Sequence, residues 1–139
     1  SDNLGIYHGT NQINQGQIDR WNIISVLNYL SPEIETKIVL NKVKISGNKN
    51  ITDKIKSMIV LAGLVRKGFI QGDLTMVLSP RTIINWAENY KIFNDLIFSF
   101  KISFLNKCDE IEKPIVAEYF QRVFNIDLPE SELNNLKKN

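Results

Sequence analysis

The chain has 139 residues, of which 43% are hydrophobic and 23% are charged, so it is long enough to bury a core and too apolar to remain disordered. Its net charge of +2 comes from 17 basic and 15 acidic side chains mixed along the sequence, which excludes a strong field for recruiting nucleic acid or an anionic membrane. The single cysteine, Cys108, cannot form an internal disulfide and no cysteine or histidine lies at zinc-ligand spacing, as is typical of a cytoplasmic protein.

The first 30 residues predict a loop, a short helix and one buried strand. Residues 1–17 are rich in glycine and amide side chains, and without a long apolar run they predict neither a signal peptide nor a membrane span. A short helix is predicted near residues 13–20. Apolar side chains then occupy both odd and even positions of residues 21–30, so both faces of a strand would be buried. This pattern favours a central strand of a parallel sheet. No second strand follows, so the neighbours of this strand are expected from elsewhere.

The sequence after Ser31 predicts helices only. Ser31 and Ser79 are each followed by a proline, and a capping side chain followed by proline at the first helical position is a helix-start signal, here for helices over residues 32–42 and 80–90. Between them, a helix capped by Thr52 and ending near Gly72 is predicted from a face at three-four spacing: Ile55, Met58, Ile59, Ala62, Arg66 and Phe69.

Two further helices are predicted in the last third of the chain. Residues 92–105 could form a strand or a helix by pattern, and their length favours a buried helix. Asp109, Glu110 and Glu112 then precede a second helical face, and their negative charge matches the positive end of the helix dipole. That face comprises Ile111, Ile115, Tyr119 and Val123.

Two arginines are candidates for binding an anion. Arg81 lies in the first turn of its helix, where the dipole disfavours a cation by about 0.3–1 kcal/mol. Together with the helix N-terminus its guanidinium could bind a phosphate, and an ordinary solvated arginine is an equally good interpretation. Arg20 precedes the predicted strand and would emerge at the edge of a sheet, although its local sequence favours an ordinary surface position.

Three other groups are weak candidates. His8 has no histidine, cysteine or spaced carboxylate partner, so an ordinary loop histidine is favoured over a catalytic base. Asp109, Glu110 and Glu112 form an acidic cluster in which Glu110 and Glu112 point to different helical faces, which favours dipole matching over a metal site. Cys108 has no activating neighbour and is interpreted as a packing residue.

Six groups of residues resemble the ATPase subunit of aerobic cobaltochelatase. They follow one another in the order and at the approximate spacing of that family: Gly5-Ile6-Tyr7-His8-Gly9-Thr10, Gln12-Ile13-Asn14-Gln15-Gly16-Gln17-Ile18-Asp19-Arg20-Trp21, Gly72-Asp73-Leu74, Ser79-Pro80-Arg81-Thr82, Trp86-Ala87-Glu88-Asn89 and Phe104-Leu105-Asn106-Lys107-Cys108-Asp109-Glu110. The resemblance implies an AAA+ ATPase of the MoxR-like branch. Members of that family form hexameric rings that use ATP to help insert cobalt into hydrogenobyrinic acid a,c-diamide.

The resemblance also assigns roles to the two arginines. Asp19-Arg20-Trp21 is similar to the arginine-finger motif, so Arg20 is expected to be catalytic in trans, and Ser79-Pro80-Arg81 is similar to the second sensor, so Arg81 is expected to bind nucleotide in cis. The family's phosphate-binding loop and magnesium-binding strand have no counterpart in this sequence. ATP and Mg²⁺ are therefore expected in the complete protein, with none bound by this chain alone and no turnover by it.

The implied organisation is the C-terminal portion of such a subunit. It comprises a remnant of the AAA+ α/β core over residues 1–31, a helical lid domain over residues 32–126 and a polar tail over residues 127–139, which makes the fold mainly α. The implied partners are identical subunits in a ring, a large corrin-binding subunit and a von Willebrand-type subunit, in the cytoplasm, without nucleic acid or membrane.

Two alternatives remain from the sequence. A MoxR-like chaperone motor for another metalloenzyme would share the same lid. A stand-alone helical interaction module, even a DNA-binding one, belongs to a different class, and the balanced charge and the unpartnered strand weigh against it. Burial of Arg20 and Arg81 against carboxylates would contradict the motor interpretation.

Overall fold

The computed structural model describes residues 20–27, 30–44 and 49–133, and within these ranges the chain is helical with short connections and no strand. The helices are α1 (20–27), α2 (Pro32–Val43), α3 (Lys49–Gln71), α4 (Pro80–Phe93), α5 (Leu96–Ser103), α6 (Lys113–Phe124) and α7 (Glu130–Leu133), with one 3-10 turn at Leu105–Lys107. The prediction of a mainly α fold is confirmed. The predicted N-terminal loop, residues 13–19 of the predicted short helix, and His8 lie outside the described residues.

The predicted strand over residues 21–30 is wrong where the chain is described, because residues 20–27 are helical. A short apolar run does not distinguish a strand from a helix by its pattern. With no neighbouring strand in the described ranges, a helix is the conformation that satisfies the backbone hydrogen bonds within the segment. In this helix Ile24 is buried at 2% exposure, whereas Trp21 and Val26 are 59% and 68% exposed.

Local capping chemistry sets the boundaries of α2 and α4. Ser31 Oγ accepts a hydrogen bond from the backbone N–H of Ile34 at 3.3 Å, and Ser79 Oγ accepts one from that of Thr82 at 3.2 Å. Both serines have extended backbone and are followed by proline, so both predicted helix starts are confirmed.

Three other predicted boundaries are wrong. Thr52 is not a cap, since α3 already begins at Lys49. The run from 92 to 105 is two helices rather than one, because Asn94 adopts a left-handed conformation (φ 52°) that asparagine tolerates and Asp95 then caps α5. The last predicted face begins too early, because Ile111 is 83% exposed and α6 starts only at Lys113.

The core is centred on Trp86 in α4. Its ring centroid lies 4.7 Å from that of Phe100 in α5, and 6.3 Å and 5.8 Å from those of Phe120 and Phe124 in α6. Helix α4 also packs against α2 and α3, and α6 packs against α3. The start of α4 is therefore fixed by several neighbouring helices. No helix in the described ranges has the length and apolarity needed to cross a bilayer.

Candidate functional site

Arg81 is the second residue of α4 and its side chain is exposed. Among the described residues it makes no hydrogen bond and no ion pair. Ser79 caps the backbone N–H of Thr82, and the carbonyl of Ser79 accepts from the N–H of Ile83 at 3.0 Å. The guanidinium is thus available beside a rigid helix N-terminus, where the helix dipole favours an anion.

The connection between α3 and α4, residues 72–79, carries the chain to this helix start. At its beginning Gly72 has φ +85°, a left-handed conformation that favours glycine, and the N–H of Asp73 donates to the carbonyl of Gly68 at 2.9 Å. Leu74 and Leu78 are buried at 1% and 0% exposure. The connection is therefore part of the packed structure.

A carboxylate from the start of α6 holds the middle of this connection. Glu112 is buried and accepts hydrogen bonds from the backbone N–H of Thr75 and from Thr75 Oγ1, the latter at 2.8 Å. Glu110 instead pairs with Lys113 at 2.7 Å. Glu112 makes no side-chain capping bond to α6. Its carboxylate therefore holds the connection in place through Thr75. The sequence predicted only that the negative charge of Glu112 matches the helix dipole.

A buried ion pair joins α2, α3 and the end of the same connection. Arg66 in α3 donates from Nη1 and Nη2 to the two carboxylate oxygens of Glu35 in α2, at 3.2 Å and 2.8 Å. Its Nε donates to the carbonyl of Leu78 at 3.2 Å. The side chains of Arg66 and Glu35 are only 6% and 2% exposed. We refer to these three groups as the Glu35–Arg66–Leu78 clamp.

The sequence contains one signal for this clamp, which is a charged residue on the predicted apolar face of α3. Arg66 falls on the predicted buried face of α3 together with apolar residues. A charge on a buried face needs a partner, because an unpaired buried ion is strongly unfavourable. The partner, Glu35, lies 31 residues earlier and is one of several acidic residues in the chain, so spacing alone does not identify it.

Arg20 lies at the other end of the connection. Its Nη1 donates to the carbonyls of Phe69 at 2.5 Å and Leu74 at 3.0 Å, and its guanidinium carbon lies 4.7 Å from the centroid of the Phe69 ring. Phe69 lies in the last turn of α3, and Leu74 lies in the connection that follows it. Carbonyl groups at the C-terminus of a helix attract a cation. Neither Arg20 nor Arg81 is paired with a carboxylate in the described part of the chain.

A separate apolar groove lies between α2 and α3. Its volume is about 710 Å³, and its lining includes Thr36, Leu40, Ile59 and Val60. Neither candidate arginine lines it. The groove is therefore not part of the candidate site, which is defined by the start of α4 and the contacts that hold it.

The described ranges contain no group of three or more histidine, cysteine, aspartate or glutamate side chains placed to hold a metal ion. Cys108 is buried at 6% exposure, and its Sγ lies 3.6 Å from the carbonyl oxygen of Phe104. Burial, followed by the negative charge of Glu112, raises the pKa of the Cys108 thiol from its usual 9.0 to about 12. The thiol therefore stays protonated at neutral pH, as expected for a packing residue.

Alkylation of Cys108 tests this environment. Because the thiolate is the reactive form, iodoacetamide at pH 8 is expected to modify the folded chain about a thousandfold more slowly than the urea-unfolded chain. The unfolded chain loses this proton first as the pH rises above 9, so the free energy of unfolding is expected to fall between pH 9 and about 12. Mass spectrometry of timed samples measures the reaction, and equal rates in both states would contradict the burial.

The described residues define a helical domain that presents an exposed arginine at a capped helix start, and comparison with known proteins supports the resemblance noted in the sequence. The chain is 50% identical over 133 residues to aerobic cobaltochelatase subunit CobS of Sinorhizobium sp.. This similarity covers 96% of the chain and 40% of that relative, so the chain spans less than half of the relative's length. The resemblance to a cobaltochelatase subunit is thereby confirmed, and the coverage fits a C-terminal portion. No family model and no solved structure matches the chain.

Proposed function

We propose that the chain is the C-terminal part of the ATPase subunit of an aerobic cobaltochelatase. In this proposal its helices form the lid of an AAA+ motor, which uses ATP to drive insertion of cobalt into hydrogenobyrinic acid a,c-diamide. The observation that carries the proposal is the 50% identity over 133 residues to a protein named as a cobaltochelatase subunit. The mainly helical fold is consistent with a lid.

The geometry at α4 supports binding of a nucleotide phosphate. A phosphate is a multivalent anion with several acceptor oxygens, and Arg81 offers a planar set of donors beside the positive end of a helix. We propose that Arg81 binds the terminal phosphate of ATP in its own subunit, so that the position of the lid depends on which nucleotide is present. Mg²⁺ would be held by the part of the complete subunit that carries the phosphate-binding loop.

Arg20 is proposed to act on the nucleotide of the neighbouring subunit. In the described chain its guanidinium contacts carbonyl groups rather than carboxylates. Moving it to a phosphate would break two hydrogen bonds to carbonyls and a cation–π contact, but no ion pair. A guanidinium inserted in trans stabilises charge that develops on the transferred phosphoryl group. The proposal therefore includes a ring of identical subunits, hexameric by family resemblance, working in the cytoplasm with a large corrin-binding subunit and a von Willebrand-type subunit.

The first test replaces Arg81 with alanine in the complete subunit. Loss of a charge-assisted hydrogen bond of about 1.5–3 kcal/mol predicts ATP binding weaker by about ten- to hundredfold, with a smaller effect on ADP because ADP lacks the terminal phosphate. Equilibrium titration with fluorescent ATP and ADP analogues measures both affinities.

The matched control for this test is Arg122→Ala. Arg122 is also an exposed arginine, but it lies in α6 and pairs with Glu118 at 2.6 Å one helical turn away. Such a surface ion pair contributes little to the stability of the fold, so ATP binding by Arg122→Ala is expected to be unchanged. If Arg81→Ala binds both nucleotides like the unsubstituted subunit, Arg81 is not part of the nucleotide site.

A second assay separates the chelatase from a motor for another metalloenzyme. The complete subunit is combined with the corrin-binding subunit and the von Willebrand-type subunit, and cobalt insertion into the corrin is followed by absorbance. The proposal predicts insertion that requires ATP and all three components. ATP hydrolysis without cobalt insertion would favour the MoxR-like chaperone motor, and absence of ATP binding would favour a stand-alone helical module.

A further inference from the structure

We propose that the Glu35–Arg66–Leu78 clamp is a positioning element that holds Arg81 where it can distinguish ATP from ADP; this inference rests on the proposed function. The clamp joins three parts of the chain through one guanidinium. Two of its nitrogens bind the Glu35 carboxylate of α2, and the third binds the carbonyl of Leu78. Leu78 is the residue immediately before the cap of α4.

The hydrogen bond from Arg66 Nε to the carbonyl of Leu78 connects the clamp to Arg81. Only Ser79 and Pro80 separate Leu78 from Arg81, and both have fixed backbone because Ser79 caps the helix and Pro80 has a restricted φ. A displacement of the Leu78 carbonyl is therefore transmitted directly to Arg81. The side chain of Leu78 is itself fully buried, so the clamp and the core hold the same residue.

The geometry requires an arginine at position 66. Lysine has one ammonium group and cannot form two parallel bonds to a carboxylate while also donating sideways to a carbonyl. The chain has thirteen lysines and only four arginines, so basic positions that need charge alone are mostly lysine. Arginine at position 66 thus fits a need for the planar shape of the guanidinium.

Stability alone does not account for the pair. Two buried charges lose their hydration, and replacing both with apolar residues of similar volume is often neutral or stabilising. A buried pair can instead specify one arrangement of the elements that it joins. Here that arrangement fixes α2, α3 and the start of α4, and small errors in the position of a binding group are sufficient to weaken its interaction with a ligand.

The decisive variant in the complete subunit is the double substitution Glu35→Leu with Arg66→Met. It removes both charges together, so neither is left buried without a partner, and it releases the Leu78 carbonyl. We expect the melting temperature to stay within a few degrees of that of the unsubstituted subunit, while ATP affinity falls about tenfold and ADP affinity stays the same. Adding Arg81→Ala to the double variant should weaken ATP binding no further than Arg81→Ala alone.

Arg66→Lys is the second variant, for use if the double variant does not fold. It keeps a positive charge beside Glu35 but loses the contact with Leu78, so it should show the same loss of preference for ATP over ADP. Arg122→Met, which breaks the exposed pair with Glu118 and the contact of Arg122 with the Tyr119 ring, is the matched control and should leave both affinities unchanged. All affinities are measured well below the melting temperature of each variant.

The outcomes separate this inference from the proposed function. Unchanged preference for ATP in folded clamp variants, together with a defect in Arg81→Ala, would overturn the positioning role and leave the proposed site intact. Equal loss of ATP and ADP affinity in the clamp variants would also overturn it, because a general loss of structure affects both nucleotides. Normal ATP binding by Arg81→Ala would overturn the nucleotide site itself.

Discussion

Replacing Trp86 with alanine is expected to lower the free energy of unfolding of the chain by about 3–5 kcal/mol. Trp86 is fully buried, and three aromatic rings from α5 and α6 surround it. Its indole N–H also donates to the carbonyl of Leu96 at 3.4 Å. Truncation leaves a large cavity and removes this hydrogen bond. A domain whose total stability is about 5–15 kcal/mol would lose a large part of that stability.

The other tryptophan of the chain is the matched control. Trp21 is 59% exposed, so Trp21→Ala is expected to change the free energy of unfolding by no more than about 0.5 kcal/mol. Urea denaturation followed by far-UV circular dichroism suits both variants, since each substitution removes a fluorophore. Similar losses at the two positions would mean that the core is not centred on Trp86.

Features that depend on neighbouring residues were predicted well. The serine–proline pairs at the starts of α2 and α4 act within one helical turn, through a side-chain oxygen and a fixed φ, and both helices begin as expected. The amphipathic face of α3 was also correct from Ile55 to Phe69, because its three-four spacing extends over more than three turns. Local chemistry of this kind can be deduced from a single sequence.

Features that depend on distant residues were not predicted. The apolar segment after Arg20 has the same pattern as a strand and as a helix, and only the presence or absence of pairing strands decides between them. The break at Asn94 is a local feature that was also missed, because asparagine tolerates a left-handed conformation without requiring one. The partner of Arg66 comes from 31 residues earlier in the chain.

The candidate site was only partly accessible from the sequence. Arg81 was identified because a cation in the first turn of a helix departs from a local rule, and the structure places it there with its side chain exposed. The anchors of the connection before it, Glu112 on Thr75 and Arg66 on Leu78, are long-range contacts. Family resemblance supplies the proposed roles of the two arginines, and the packing shows which groups hold the connection before Arg81.

Replacing Arg20 with alanine in the complete subunit is expected to lower ATP hydrolysis by about a thousandfold or more, the effect of removing an arginine finger from a nucleotide hydrolase. ATP binding to the same subunit should persist, because in the proposed ring Arg20 acts on the nucleotide of a neighbour. Arg20→Lys keeps the charge but not the planar fork, so it should also be strongly impaired. Phosphate release gives the rate, and nucleotide titration gives the affinity.

Mixing subunits distinguishes action in trans from a structural role. A subunit defective only in its phosphate-binding loop still carries Arg20. If Arg20 acts in trans as proposed, this subunit can supply the arginine to the intact nucleotide site of an Arg20→Ala neighbour in a mixed ring. Partial recovery of ATP hydrolysis is therefore expected, with an optimum at intermediate ratios. If Arg20 only holds the carbonyls of Phe69 and Leu74 within its own chain, Arg20→Ala should lower the melting temperature along with the activity, and no mixing ratio should restore hydrolysis.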